Sequence, residues 1–84
     1  MPYIKAEERV AYDVVLDQMP EIKTKGDLEY CVTRLMNKFM TTREKKYSTL
    51  HEVVYAVTHC ADEFRRRFLD AREDVARETN GDVK

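Results

Sequence analysis

The side chains most capable of chemistry lie in the last third of the sequence: His51, His59, Cys60 and Glu63. His59 and Glu63 are four residues apart and could share a metal ion on one face of a helix. A zinc site needs three or four converging ligands, and a di-iron bundle needs Glu-x-x-His pairs on facing helices. The sequence contains neither pattern, so we expect no metal site and no cofactor, and we interpret both histidines as surface residues.

The same search finds no catalytic motif. Cys31 follows Tyr30 and could act as a nucleophile only if a base such as His59 approached it. The sequence has no glycine-rich phosphate loop, no Gly-x-Ser-x-Gly elbow and no Cys-x-x-Cys pair. We therefore predict that the protein is not an enzyme. Cys31 and Cys60 lie among apolar residues at helical spacing, which predicts two buried, reduced thiols.

One basic stretch could contact phosphates. It consists of Arg34, Lys38, Arg43, Lys45 and Lys46. Cations also suit the end of a helix, where they face the negative end of the helix dipole. Because 15 basic side chains are balanced by 16 acidic ones, the net charge of −1 makes nucleic acid an unlikely partner and a solvated helix end the favoured interpretation.

The clearest functional pattern is a candidate partner-binding surface near the C-terminus. Its apolar members are Phe64, Phe68, Ala71 and Val75, and its flanking arginines are Arg65, Arg67 and Arg72. Apolar residues at steps of three and four with charged edges are typical of a contact between two helices. Either the first helix of the same chain covers this surface or a partner does, and we favour a partner.

These four apolar residues continue a longer repeat that begins at residue 50. Its members, at steps of four and three, are Leu50, Val54, Val57, Ala61, Phe64, Phe68, Ala71 and Val75. An unbroken repeat of this kind predicts one stripe along one long helix. Because the first half of that helix is apolar over most of its circumference, it is predicted to form the core with the second helix. The side chains expected to be nearly fully buried there are Leu28, Leu35, Phe39, Val54 and Val57.

The whole chain is predicted to be a single all-α domain over residues 1–84, with helices over about 6–18, 28–43 and 50–78. Pro20 ends the first helix, Asp27 is the predicted N-cap of the second, and Thr49 with Glu52 forms a predicted capping box for the third. Only two glycines and two prolines are present, which favours helices over a turn-rich β fold. The absence of a leader peptide or a long apolar run predicts a cytoplasmic protein with no membrane segment.

Four short motifs resemble those of a family of small uncharacterised bacterial and phage proteins. They are Met1 to Ile4, the Gly-Asp-Leu-Glu-Tyr segment at 26–30, the Glu-Phe-Arg-Arg-Arg segment at 63–67, and the Asn-Gly-Asp-Val segment at 80–83. Glu29 stands where that family has asparagine, and Arg65 where it has tyrosine. The resemblance spans nearly the whole chain and implies a helical fold without a known activity.

These observations predict a non-enzymatic protein–protein interaction module, in a phage or bacterial setting an adaptor or inhibitor. The expected partner is a second copy, crossing antiparallel through the long helix. In a parallel pair Arg67 would face Arg72 of the other chain, whereas in an antiparallel pair Arg67 can approach Asp74 of the other chain. The alternative is a nucleic-acid-associated accessory protein that uses the basic stretch.

Overall fold

The computed structural model describes residues 2–83, and within that range it contains three helices and no strand. The first two helices are α1 (Ala6–Asp17) and α2 (Lys25–Met40). The third is a continuous helix of 34 residues that consists of α3 (Tyr47–Phe64), a π-helical turn (Arg65–Leu69) and α4 (Asp70–Asn80). The predicted all-α class and long C-terminal helix are confirmed. Met1, part of the first resemblance motif, and Lys84, the end of the predicted domain, lie outside the described residues.

Helix α2 begins one turn earlier than predicted because its cap is a reciprocal pair. The hydroxyl of Thr24 accepts a hydrogen bond from the Asp27 backbone N–H at 3.0 Å, and the Asp27 carboxylate accepts one from the Thr24 N–H at 3.2 Å. This is a capping box, in which two side chains satisfy each other's free backbone donors. The prediction that Asp27 is the N-cap is wrong, because Asp27 occupies the third helical position instead.

The start of the long helix is also shifted. Lys46 is the N-cap, and the hydroxyl of Thr49 accepts a hydrogen bond from the Lys46 backbone N–H at 3.1 Å. Thr49 therefore caps the start of the helix from the third helical position and is not itself the N-cap. The predicted capping box with Thr49 as N-cap is wrong, and the helix extends three residues further towards the N-terminus.

The core lies between α2 and α3, which form an antiparallel hairpin around a short connection. Val53, at 7% exposure, is the one buried side chain among residues 2–83, and no side chain in that range is fully enclosed. The half-buried side chains around it are Cys31, Val32, Met36, Phe39, Met40 and Val57. The hairpin is therefore held by a thin layer of contacts and not by an enclosed core.

Three of the five predicted core residues are exposed. Leu28, Leu35 and Val54 expose 51%, 55% and 55% of their surface, whereas Phe39 and Val57 are half-buried. The prediction that all five are nearly fully buried is therefore wrong. For Val54 the reason is that α3 is apolar on two sides. Helix α2 packs on the side that carries Val53 and leaves the neighbouring side, with Val54, in solvent.

Helix α1 packs on no other helix. No Cα atom of α1 comes within 8 Å of α2 or of any part of the long helix. Its apolar side chains are accordingly exposed, with values from 50% to 63% for Val10, Tyr12, Val14, Val15 and Leu16. The alternative in which the first helix covers the C-terminal surface of its own chain is therefore not the arrangement observed.

The chain is far more extended than a self-sufficient domain of its size. Its radius of gyration is 16.8 Å, against about 12 Å for a compact chain of this length. Its accessible surface is 7959 Å², against about 5,200 Å² for a compact monomer of 10.0 kDa. Roughly 2,700 Å² of surface that a compact monomer would hide is thus exposed to solvent.

Candidate protein-interaction surface

The exposed apolar residues beyond the hairpin form what we name the distal surface: Phe64, Phe68, Leu69, Ala71 and Val75. Helix α2 is about 24 Å long and the long helix about 51 Å, so α2 can flank only about half of it. Phe64 and Phe68 contact each other, with ring centroids 4.7 Å apart, yet remain 66% and 50% exposed. Leu69 and Val75 are 48% and 61% exposed. An exposed apolar surface of this kind is a candidate interaction site.

The π-helical turn changes the shape of the predicted stripe. The backbone N–H of Asp70 donates to the carbonyl of Arg65, five residues back, where an α-helix would use a spacing of four. This one extra residue turns everything after it by about 100° relative to an unbroken α-helix. Ala71 and Val75 consequently lie about a quarter turn away from the line through Phe64, and the prediction of one straight stripe is wrong.

The same turn brings in a residue that periodicity had excluded. A spacing of four and three leaves Leu69 outside the stripe, whereas a π-helical turn places residue i+5 above residue i. Leu69 therefore lies one turn above Phe64 and extends the aromatic pair. The distal surface is consequently a broad, wrapped patch and not a narrow line.

The exposed apolar side continues towards the hairpin. Leu50 and Val54, the first two members of the predicted stripe, are 44% and 55% exposed, and Ala61 is exposed as well. The first half of the stripe was predicted to be core, but of its four members only Val57 is half-buried, and Leu50, Val54 and Ala61 are exposed. An apolar surface therefore extends from Leu50 through the distal surface, along nearly the whole length of the long helix.

The N-terminal segment is fastened to the edge of the distal surface. The Tyr3 hydroxyl donates a hydrogen bond to Oε1 of Glu63 at 2.8 Å and accepts one from Arg67 at 3.2 Å. Arg66 donates two further hydrogen bonds to the same carboxylate, at 2.5 and 3.2 Å. The bonds from Arg66, and then that from Tyr3, lower the pKa of Glu63 below its ordinary value. The two contacts of Tyr3 join residues about 60 positions apart, so no local sequence pattern could have predicted them.

The arginines at this edge fall into two groups. Arg66 and Arg67 are engaged by Glu63 and Tyr3, and Arg67 also lies 5.5 Å from the ring centre of Phe68. Arg65 and Arg72 form no ion pair with any side chain of residues 2–83. Two of the predicted partner-binding arginines are thus free to meet an acidic surface.

A family model matches residues 1–83, almost the full chain. The chain belongs to the DUF6899 family. That family is described as a domain of unknown function. No curated protein and no solved structure shows a significant match to this chain.

The predicted basic stretch of this DUF6899 chain is partly occupied by its own contacts. Arg34 donates a hydrogen bond to the Tyr30 hydroxyl at 3.1 Å. The guanidinium of Arg43 lies 3.6 Å from the ring centre of Phe39, and Lys46 pairs with a neighbouring glutamate at 3.1 Å. Lys38 and Lys45 form no ion pair within the described chain. Three of the five cations are thus engaged by neighbouring side chains of their own chain.

The candidate metal ligands of the DUF6899 chain are dispersed along the long helix. His51 lies between two tyrosine rings, with centroid distances of 4.9 and 5.0 Å, and Glu63 is bound by Arg66 and not by His59. Residues 2–83 contain no group of three or more histidine, cysteine, aspartate or glutamate side chains placed to hold a metal ion. No helix in this range is long and apolar enough to cross a bilayer.

The two thiols of the DUF6899 chain differ from the sequence prediction. Cys31 is half-buried beside the hairpin contact, and Cys60 is exposed. The prediction that both are buried is therefore wrong: Cys60 is exposed, and Cys31 is covered only in part. No hydrogen bond joins Cys31 to His59 within residues 2–83, so the structure does not assemble the nucleophile and base considered from the sequence.

Proposed function

We propose that the protein is a non-enzymatic interaction module that associates with a second copy of itself through the exposed apolar side of its long helix. The observation that carries this proposal is the exposed surface of 7959 Å² in a chain with one buried side chain, Val53, among residues 2–83. Burial within one chain therefore leaves it with little stability of its own, and a second copy that covers the exposed apolar surface would add to that stability.

The size of the exposed excess fits self-association. Obligate dimers bury roughly 2,000–5,000 Å² in total, or about 1,000–2,500 Å² for each chain. The excess of roughly 2,700 Å² over a compact monomer is of the same order. At about 25 cal/mol per Å² of apolar surface, covering even 1,000 Å² of it contributes about 25 kcal/mol before the entropy cost of association.

We propose an antiparallel crossing of the two long helices. In a parallel pair the arginine-rich turns of the two copies would lie side by side, which is unfavourable. The predicted contact between Arg67 and Asp74 of the second copy would require new pairing, because Arg67 binds Tyr3 and Asp74 lies 3.5 Å from Arg77 in its own chain. The antiparallel arrangement therefore depends on separation of the arginines more than on that ion pair.

A role as an adaptor or inhibitor extends the same proposal, and it draws on the sequence resemblance to bacterial and phage proteins. Such a role would use the dimer, or one free copy of the distal surface, to bind a foreign protein. The nucleic-acid alternative has less support, because Arg34 and Arg43 fold onto their own aromatic neighbours. Binding to random-sequence DNA that weakens steeply with added salt would favour that alternative.

Sedimentation velocity tests the proposal. We expect the unmodified protein to sediment as a dimer at tens of micromolar, and the double variant Phe68→Glu/Val75→Glu to sediment as a monomer. A matched control, Thr33→Glu/Asn37→Glu, adds the same charge to exposed positions of α2 and should remain dimeric. The proposal of self-association is wrong if the unmodified protein is a monomer whose C-terminal third is fully helical.

A further inference from the structure

We infer that α1 of each copy packs on the distal surface of the other copy, so that the two chains exchange their first helices. This inference rests on the proposed function, since it requires a dimer, and it names the element that completes the interface. The occupant of the distal surface is thus a specific segment of a second chain.

Two unpartnered apolar surfaces occur in the same chain. Helix α1 contacts no other helix, and Val10 and Val14 on it are 62% and 53% exposed. The distal surface, with Phe64 and Val75 at its ends, has no helix against it either. In a symmetric pair, α1 of the first copy covers the distal surface of the second copy, and α1 of the second copy covers the distal surface of the first. One exchange therefore covers both surfaces.

The lengths of the two surfaces agree. Helix α1 has 12 residues, which corresponds to about 18 Å. The segment from Phe64 to Val75 spans about 17 Å. Helix α1 is therefore long enough to span the distal surface from Phe64 to Val75.

The charges of the two surfaces are complementary. Helix α1 carries four carboxylates and one arginine, and the carboxylates are Glu7, Glu8, Asp13 and Asp17. The stretch from residue 64 to 72 carries four arginines and one aspartate. None of the four carboxylates forms an ion pair within residues 2–83, and neither do Arg65 and Arg72. Helix α1 thus carries unpaired negative charges, and the distal surface is flanked by unpaired positive charges.

The attachment of the N-terminal segment brings α1 to the right place. Tyr3 is bound at Glu63 and Arg67, and α1 begins three residues later, at Ala6. The start of α1 is therefore fixed beside the distal surface of its own chain. If the two long helices cross near Ala61, at the hairpin end of the distal surface, that position lies close to the distal surface of the second copy and leaves it open to α1.

A charge exchange between two variants separates the possible arrangements. The first variant is Asp13→Lys/Asp17→Lys, and the second is Arg65→Glu/Arg72→Glu. Neither removes an ion pair or a side-chain hydrogen bond seen within one chain. In a pair of identical variant chains, like charges meet at both contacts. In a mixed pair both contacts are again complementary, because the lysines of one chain meet the glutamates of the other and the original aspartates meet the original arginines.

We expect each variant alone to self-associate at least about tenfold more weakly than the unmodified protein at low salt, because like charges across an interface are strongly unfavourable. An equimolar mixture should recover the affinity of the unmodified protein as a heterodimer, measured by sedimentation equilibrium with one variant carrying a fluorescent label. The loss and the recovery should both shrink at high salt, where exposed charges are screened.

Each other result contradicts the inference in a distinguishable way. If both variants dimerise as tightly as the unmodified protein, the proposed dimer stands and α1 lies elsewhere. If each variant is weakened but mixing recovers nothing, α1 packs on its own chain or the charges act in another contact. If the unmodified protein is monomeric, both the proposed function and the exchange of α1 are wrong.

Discussion

Replacing Val53 by alanine is expected to destabilise the chain more than replacing Leu35 by alanine, although leucine is the larger side chain. Val53 is 7% exposed, so the substitution removes two buried methyl groups and leaves a cavity, which together cost about 1.5–3 kcal/mol. Leu35 is 55% exposed. Removing its three outer carbons therefore costs about 1 kcal/mol at most.

The measurement is urea unfolding followed by circular dichroism at one fixed protein concentration. Because dimerisation adds to apparent stability through mass action, the comparison belongs in the monomeric Phe68→Glu/Val75→Glu background. The difference in free energy of unfolding between the two alanine variants reports on the hairpin alone. The m-value should stay constant across the series, because unfolding exposes about the same surface area in both variants.

A larger loss for Leu35→Ala than for Val53→Ala would refute this reasoning. It would mean that α2 packs on α3 through the face that carries Leu28 and Leu35, as the sequence pattern had predicted. Equal and negligible losses would instead mean that the hairpin does not fold as a unit without its partner.

Two further predictions concern local contacts. The pKa of Glu63 is lowered first by Arg66 and then by Tyr3, so Tyr3→Phe should raise it and Arg66→Gln should raise it further, as measured by carbon-13 NMR titration of the carboxylate. A carboxyl group with a lowered pKa contributes its full stabilisation at pH values above its ordinary pKa of 4.5, and it loses that contribution as the pH falls through the lowered pKa. An unchanged titration of Glu63 in both variants would contradict the contact. Thr24→Ala should cost about 0.5–2 kcal/mol because it removes the cap of α2, whereas Thr58→Ala, which removes only a bond to the carbonyl four residues back, should cost little; equal losses in thermal unfolding would contradict the capping role.

Helix number, helix type and the long C-terminal helix could be predicted because they follow from local pattern. The signals are the apolar spacing of three and four, the small number of glycines and prolines, and Pro20 between the first two helices. Each of them influences the backbone only within a few residues of its own position. The helix starts were harder to predict because capping residues compete. Thr24 and Asp27 are both favourable N-cap residues. Because they are three residues apart, Thr24 can be the N-cap while Asp27 completes the capping box.

The packing face of the long helix could not be predicted, since α3 has apolar residues on two sides. Val53 and Val54 are neighbours of equal hydrophobicity, and only the docking of α2 decides which of them is buried. Periodicity found the surface that a partner should cover, but it assigned the first half of that surface to the core. Contacts between distant residues, such as Tyr3 with Glu63, also leave no trace in a local pattern.

The candidate site was predicted in its residues but not in its shape. The exposed positions of Phe64, Phe68 and Val75 agree with the sequence interpretation, and whether a partner binds them stays a prediction. Periodicity assumes 3.6 residues in every turn, so it cannot anticipate a π-helical turn or place Leu69.

The π-helical turn also determines how this helix tolerates changes of length. Deleting one residue from the segment Arg65–Leu69 would restore ordinary α-helical hydrogen bonding, so the helix itself would survive and could become more regular. Because a π-helical turn holds one extra residue in about the same rotation and rise as an α-helical turn, the residues beyond the deletion would keep nearly their present orientation. Ala71 and Val75 would stay about a quarter turn from the line through Phe64. A single-residue deletion at this point would therefore preserve both the fold of one chain and the surface that it offers to another, whereas the same deletion elsewhere in the long helix would rotate the residues beyond it by about 100°.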